Sequence, residues 1–320
     1  LHLVKNCKIL LLTGTPMVDT PKDMVSLMNL ILPKDRQLDE DDVENPEEFK
    51  EKVRGRISYV RESGEVPKRI DEGIVRKPFQ YFKIVYSEMS EFQYEAYKKT
   101  VKSQGKKKFS NDARHAANFV FSDGNSGVSA ETKFLHVKGS KGIIQSERKK
   151  IAENIQKYSA KFSKIAETLK DPKYEKELAF IFSDYVAGGG TRLLYYSVLG
   201  QGFSAFTGSC GKGKNRIAVI THNTLTEERN NIIEKFRSPE NKYGEYIRVL
   251  IGSRAISEGV DLKNVRQVHV LAPHWNNSVT EQAIGRGIRM GSHKDLSPDE
   301  RYVRVFRHAS TKPNIPKYKK

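Results

Sequence analysis

The sequence predicts an α/β protein in which a parallel sheet is covered by helices on both faces. Two observations carry this. Five short runs rich in Val and Ile, "ELAFIFSD", "RIAVIT", "IRVLIG", "RQVHVLA" and "RYVRVF", follow one another between residues 177 and 306. Helix-period segments separate them at residues 192–199, 227–236 and 279–289. Strand and helix in alternation build parallel sheets, and continuous apolar runs suit strands buried on both faces. The working surface of such a sheet is the set of loops at the carboxyl ends of its strands.

Taken in order, "KILLLTGTP" reads as a buried strand over Ile9 to Leu12 running into a turn. A helix follows, with Thr20 as N-cap, Pro21 at its first position and Asp23 at its third. Met24, Leu27, Met28 and Ile31 line one face, and Pro33 stops it. Residues 35–51 hold nine acids against Arg36 and Lys50 and read as an exposed insertion. "SEFQYEAYKKTV" is a second helix, with Ser90 and Gln93 spaced as a capping box. From Gly105 to Lys150 the chain is polar, glycine-rich and basic, which predicts a long loop or partly disordered insert. "AKFSKIAETLK" then opens the α/β unit with Phe162, Ile165, Ala166 and Leu169 on one face.

The net charge is +17, and the acidic stretch lies inside that sum, so the rest of the chain is more basic still. Such an excess favours a polyanionic partner, nucleic acid ahead of a membrane, because no amphipathic basic helix or apolar anchor accompanies it. Cys7 and Cys210 supply neither a disulfide framework nor a zinc ligand set, and no other metal site is legible. The longest apolar run is the four-residue "ILLL" and no signal peptide is visible, so a soluble intracellular protein is expected.

One loop imitates a nucleotide site. "GSCGKGKN" at 208–215 differs from the phosphate loop G-x-x-x-x-G-K-[ST] by Asn215, and the strand-like "RIAVIT" follows where a helix is needed. A basic surface loop is therefore expected.

Two other segments carry more. In "SVTEQAIGRGIR", Ser278 and Glu281 form a capping box that starts a helix at Val279. On it Gln282, Arg286 and Arg289 fall at i, i+4 and i+7, one face presenting two guanidinium groups. Gly285 and Gly287 weaken that helix and point to close backbone approach to a ligand or a neighbouring domain. In "GSRAISEGVDL", Gly252, Ser253 and Gly259 leave room beside a strand end, with Arg254, Glu258 and Asp261 supplying charge.

Read together, "LLLTGTP", "FIFSDY", "GSRAISEGVDL" and "PHWNNSVTEQAIGRGIR" resemble motifs III to VI of superfamily 2 helicase-like ATPases. The chain is most similar to the Swi/Snf type. Its polar inserts and "EQAIGRGIR" look like the nucleoside triphosphatase and early transcription factor ATPases of large cytoplasmic DNA viruses. The resemblance implies a RecA-like second domain at 158–310, the end of a first RecA-like domain at 1–34, a linker and insert at 35–157, and a basic tail at 311–320. It implies ATP with Mg²⁺ as cofactor, Arg286 and Arg289 as arginine fingers, and Gln282 as the glutamine of the same helix. Thr13, Gly14 and Thr15 match the motif that couples nucleotide state to domain closure. Glu258, Gly259 and Asp261 match the motif linking nucleotide and strand sites. Ser253 and Arg254, at a strand end, are the candidate nucleic-acid contacts.

The implied partner is nucleic acid, DNA ahead of RNA, with RNA polymerase or other transcription machinery in host cytoplasm or virion. In the family the phosphate loop and the acidic Mg²⁺ motif precede "TGTP", whereas the twelve residues before Thr13 hold neither. The chain is thus expected to be the C-terminal motor half of a translocase, inactive alone. The alternative is a nucleic-acid or partner-binding module that keeps the fold without the activity.

Overall fold

The computed structural model describes residues 6–13, 20–58, 65–77, 79–103, 111–135, 142–253, 256, 260–272 and 277–313. It forms two compact units, Leu1–Ser63 with Trp275–Glu281 and Gly64–His274 with Gln282–Lys320.

In the first unit, helices α1 (Asp23–Met28) and α2 (Pro46–Lys52) enclose a small core of Met28, Leu32, Leu38 and Val53. Helix α1 begins later than its cap pattern predicts, because residues 20–22 form a turn. The Thr20 N–H still reaches Asp23 Oδ2 at 3.2 Å. The acidic stretch is largely exposed as expected, eight of its nine acids being exposed, but it is anchored: Leu38 joins the core, Phe49 packs against it, and buried Asp42 receives Lys52 Nζ at 2.6 Å. Ile9 to Leu12 are not a buried strand either. Leu10 and Leu12 are exposed, and among the described residues no strand pairs with them. An apolar run becomes a strand only where a neighbour satisfies its backbone.

The second unit is built on one sheet. Strands β1 (Lys68–Glu72), β2 (Ile74–Arg76) and β3 (Phe79–Glu88) precede the predicted five, which are β4 (Leu178–Ser183), β6 (Arg216–Ile220), β7 (Val249–Gly252), β8 (Val265–Ala272) and β9 (Tyr302–Thr311). A two-residue strand β5 (Ser204–Ala205) closes one edge. The order is β2-β3-β9-β8-β4-β7-β6-β5, with β1 on β9, and every pair except β2–β3 is parallel. This is a RecA-like α/β fold. Every residue of β4 is buried, as central position requires.

On one face Ala179, Ile181, Ile217, Val249 and Ile251 meet helices α8 (Ala160–Lys170) and α9 (Thr191–Leu199) through Phe162, Ile165, Leu169, Leu193 and Leu194. A polar line interrupts the apolar strands. Glu177 accepts from Gln267 at 2.9 Å, Gln267 Oε1 meets His269 Nε2 at 3.1 Å, and His269 Nδ1 meets His308 Nε2 at 3.0 Å. Burial drives the His269 pKa down to about 3 and the His308 pKa well below the ordinary value, so both rings are neutral.

The described parts of the segment expected to be a loop or partly disordered, residues 111–135 and 142–150, are structural, whereas residues 105–110 and 136–141 lie outside the described residues. Helices α3 (Glu91–Ser103), α4 (Asn111–Asn118), α5 (Val128–Thr132), α6 (Gln145–Glu153) and α7 (Ile155–Tyr158) lie there or beside it, and Phe119, Phe121 and Ile143 are fully buried in the main core. Ser90 caps α3 as predicted, its Oγ accepting from the Gln93 N–H at 3.0 Å. The Gln93 amide does not complete the box. It binds the Ala116 and Ala117 carbonyls and the Ala160 N–H, tying three helices together.

Candidate functional site

Because the strands are parallel, the carboxyl ends of β4, β7 and β8 lie on one edge, and the segments leaving them carry the candidate residues. Ser253 follows β7 and is buried. Its N–H donates to the Ile220 carbonyl at 3.3 Å, and its carbonyl accepts from Ile256 at 3.0 Å. Helix α11 (Asn277–Gly285) starts slightly before the predicted cap and buries Ala283 and Ile284. Gln282 on it is half-buried.

The predicted arginine stripe needs correction. Helix α11 ends at Gly285, so Arg286 lies in the turn beyond it and Arg289 in irregular chain. The three side chains do not share a helical face. Instead the backbone is laced to the segment after β7: the Leu262 N–H donates to the Arg286 carbonyl at 3.1 Å, and the Asn264 N–H to the Ser292 carbonyl at 3.0 Å. Arg289 Nη1 donates to Asp261, so two residues predicted from separate motifs form one ion pair. Behind them His293 Nε2 binds the Val265 carbonyl at 2.8 Å, and burial lowers its pKa to about 4. A carbonyl only accepts, so Nε2 carries the proton.

The glycines of this run divide. A Cβ at Gly287 would stand 3.1 Å from Val268 Cγ2 of β8, an approach within the unit itself and not to a ligand or neighbouring domain, whereas at Gly285 it would meet nothing within 4 Å. Thr13 is exposed in the first unit. Gly14, Thr15, Arg254, Glu258 and Gly259 lie outside the described residues.

Part of the basic excess is internally neutralised. The arginines of β9 and its flank pair with the stretch around β1, Arg301 with Glu65, Arg304 with Glu72 at 2.7 Å and Arg307 with Asp71 at 2.5 Å. These cations hold an edge strand and are not offered to a polyanion.

The 208–215 loop does not fit a nucleotide. A strand, β6, follows it. Lys214 Nζ is engaged by Glu175 at 3.1 Å, the Gly213 N–H by the Glu245 carbonyl at 2.7 Å, and the Arg216 guanidinium by the Gly211 carbonyl.

A loop that sequence reasoning missed is more constrained. Residues 184–190 leave the end of β4 through Gly188, Gly189 and Gly190 and enter α9. Glu131 of α5, buried, accepts from the Gly188 N–H and from Arg192 Nη1, the latter at 3.0 Å. His115 Nδ1 lies 2.6 Å from the Gly188 carbonyl oxygen. Three successive glycines at a strand end were the available signal. Lys161 was missed too: buried, its Nζ binds Asn118 Oδ1 at 2.7 Å and the Leu271 carbonyl at 3.0 Å, and burial lowers its pKa to about 7.

Residues 160–291 match the family model described as helicase conserved C-terminal domain. The chain is 35% identical over 316 residues to 087L of Invertebrate iridescent virus 3, which is named a helicase; the match covers 97% of this chain and 32% of that protein. It is 30% identical over 325 residues to 009L of Frog virus 3, also named a helicase, covering 96% of this chain and 32% of that protein. A shorter match, 43% identical over 91 residues, is to the termination factor NPH-I homolog of African swine fever virus, covering 28% of this chain and 13% of that protein. The chain thus spans about a third of the length of the two helicase-named relatives. Among the described residues no helix is long and apolar enough to cross a membrane.

Proposed function

Starting from a chain that carries a helicase conserved C-terminal domain with helicase-named viral relatives, we propose that it is the C-terminal motor half of an ATP-dependent nucleic-acid translocase. DNA is the preferred track, and transcription or DNA remodelling during viral infection is the setting. The observation that carries this reading is the lacing of residues 261–264 to residues 286–292 at the carboxyl edge of the parallel sheet, with Arg286 and Arg289 on the laced segment.

In this reading ATP with Mg²⁺ supplies the phosphoryl group, held mainly by a preceding domain. Arg286 and Arg289 present planar, permanently charged guanidinium groups, which suit phosphate oxygens better than an ammonium does. Such groups stabilise the charge that develops as the terminal phosphate leaves more than they stabilise the ground state. Asp261 fixes the direction of Arg289. Gln282, one turn before Arg286, orients groups around the same phosphate, and Glu258 and Gly259 join Asp261 in linking nucleotide to track. Ser253 and Arg254 contact the nucleic-acid backbone, and Thr13, Gly14 and Thr15 report nucleotide state between domains.

Single-turnover hydrolysis by the full-length protein, at saturating ATP and nucleic acid, tests this. Arg286→Ala and Arg289→Ala are each expected to lower the rate on the order of 10³-fold with substrate affinity retained, and Lys at either position to rescue poorly. Wild-type rates in both variants would remove the motor reading. Residues 1–320 alone are expected to show no nucleic-acid-stimulated hydrolysis. Turnover abolished by Lys214→Ala would instead move the nucleotide to the 208–215 loop.

A further inference from the structure

The geometry points to Glu131 as a positioning residue through which the segment 111–132 clamps the loop 184–190, setting its shape as part of the nucleic-acid surface. The inference rests on the reading above for what the loop contacts, and on four independent contacts for the clamp.

The Glu131 carboxylate is 1% exposed and has two partners, both at the glycine loop: the Gly188 N–H and Arg192 at the start of α9. His115 approaches the Gly188 carbonyl from α4, so the single Gly188 residue is held at its N–H by α5 and at its C=O by α4. The Tyr185 hydroxyl donates to Asn111 Oδ1 at 3.1 Å, and its ring lies 4.5 Å from that of His115. Packing is equally close. Gly188 has φ +67, and a Cβ there would stand 2.8 Å from the Val128 nitrogen and 2.9 Å from the Gly127 carbonyl carbon. At Gly189 it would meet Phe119 and Asn118 at 3.2 and 3.3 Å. The loop also closes on itself, the Thr191 and Arg192 N–H groups donating to the Tyr185 and Val186 carbonyls at 2.9 and 3.1 Å.

A loop at the carboxyl end of a central parallel strand belongs to the ligand edge of the sheet. Left alone, three glycines there would sample many conformations. The segment 111–132 removes that freedom before any ligand arrives, which is how a binding surface is preorganised. Glu131 itself need touch no ligand: its effect passes through the Gly188 peptide and the Arg192 guanidinium.

The test uses residues 1–320 as they stand, with amide exchange and binding of fluorescein-labelled duplex DNA at about 50 mM salt, where phosphate contacts are strongest. Glu131→Ala is expected to speed exchange at residues 185–192 about tenfold or more, and exchange in 265–272 little. Duplex affinity should fall about fivefold. Glu131→Gln retains one acceptor for Gly188 and should restore most of both losses. It also keeps the experiment decisive where the alanine variant fails to fold. Unchanged exchange at 185–192 in Glu131→Ala overturns the clamp. A loosened loop that binds duplex as tightly as the parent overturns its role in the nucleic-acid surface, as does a parent chain that binds no duplex. Failure of the motor reading is separate, because it is read from Arg286 and Arg289 turnover.

Discussion

Two glycine-rich loops lie at opposite edges of the same parallel sheet, 184–190 after the carboxyl end of β4 and 208–215 before the amino end of β6, and the one that looks functional in the sequence is the less constrained. The loop at 208–215 spells out most of a phosphate-binding pattern, yet a Cβ at Gly211 would meet nothing within 4 Å, and at Gly208 and Gly213 it would meet only the ends of Asn231 and Arg216. In the loop at 184–190 Gly188 and Gly189 face the segment 115–128 at close range, and at Gly190 a Cβ would fall 2.0 Å from the carbonyl oxygen of Tyr185 in the loop itself. The first loop can use glycine; the second requires it. Spacing records which residues are present, and only the fold records what stands opposite them.

The largest expected effect follows from that difference. Gly188→Ala places a side chain in the left-handed region and against the backbone of α5, and should cost about 3 kcal/mol of unfolding free energy. Gly211→Ala should change stability by less than about 0.5 kcal/mol. Urea denaturation of the two variants checks this, and equal losses would erase the distinction between the loops.

A pH experiment sharpens the same contrast. Lys161 binds Asn118, whose Cβ flanks Gly189, and burial lowers its pKa to about 7 from the ordinary 10.5. Between those values the unfolded chain binds the proton and the folded chain does not. Stability therefore rises with pH through this window, by up to about 1.4 kcal/mol per pH unit, and the gain is lost progressively as pH falls from 10.5 to 7, below which both states hold the proton. His269 and His308 are neutral in both states above pH 7.5 and add nothing there. Lys161→Met should flatten the rise between pH 7 and 9 in denaturation curves. A slope retained in the variant would assign the titration elsewhere.

The legible parts of the molecule are those whose burial has a period. The five parallel strands and helices α8, α9 and α10 (Thr226–Arg237) stand where the Val and Ile runs and the spacing of Phe162, Ile165 and Leu169 place them. Residues 111–153 were illegible because their helices are short and bury isolated aromatic residues, Phe119 and Phe121, beside buried polar ones, Asn118, Glu131 and Glu147. No stripe forms in such a sequence. The strand β1 was missed for another reason. Four of its five residues are charged, and Asp71 and Glu72 pair with arginines of β9, a composition that reads as surface until the partner strand is known.

At the candidate site the residue types were legible and the geometry was not. Gln282, Arg286 and Arg289 have helical spacing, but α11 stops at Gly285. With the helix ended, Arg289 pairs with Asp261. The two glycines of this run repeat the loop comparison on a smaller scale. Gly287→Ala must displace Val268 by a few tenths of an ångström and should cost about 1 kcal/mol, whereas Gly285→Ala, with open space around it, should gain about 0.5 kcal/mol. Thermal midpoints that move in the same direction for both would count against the packing described for β8.

The smallest effect is expected at the residue that makes the 208–215 loop look like a nucleotide site. Lys214 is 86% exposed on its side chain, and its pairing with Glu175 is a surface contact that water and salt screen. Lys214→Ala should leave the unfolding midpoint unchanged within measurement, at low and at high salt alike. Lys214→Ala should also leave ATP binding by the full-length protein intact, because the loop's amides and carbonyls are engaged with Glu245 and Arg216 and β6 supplies no helix N-terminus for a phosphate. Isothermal titration with ATP, parent against variant, decides the point. A loss of affinity confined to Lys214→Ala would make this loop the phosphate site, and the comparison between the two loops would then run the other way.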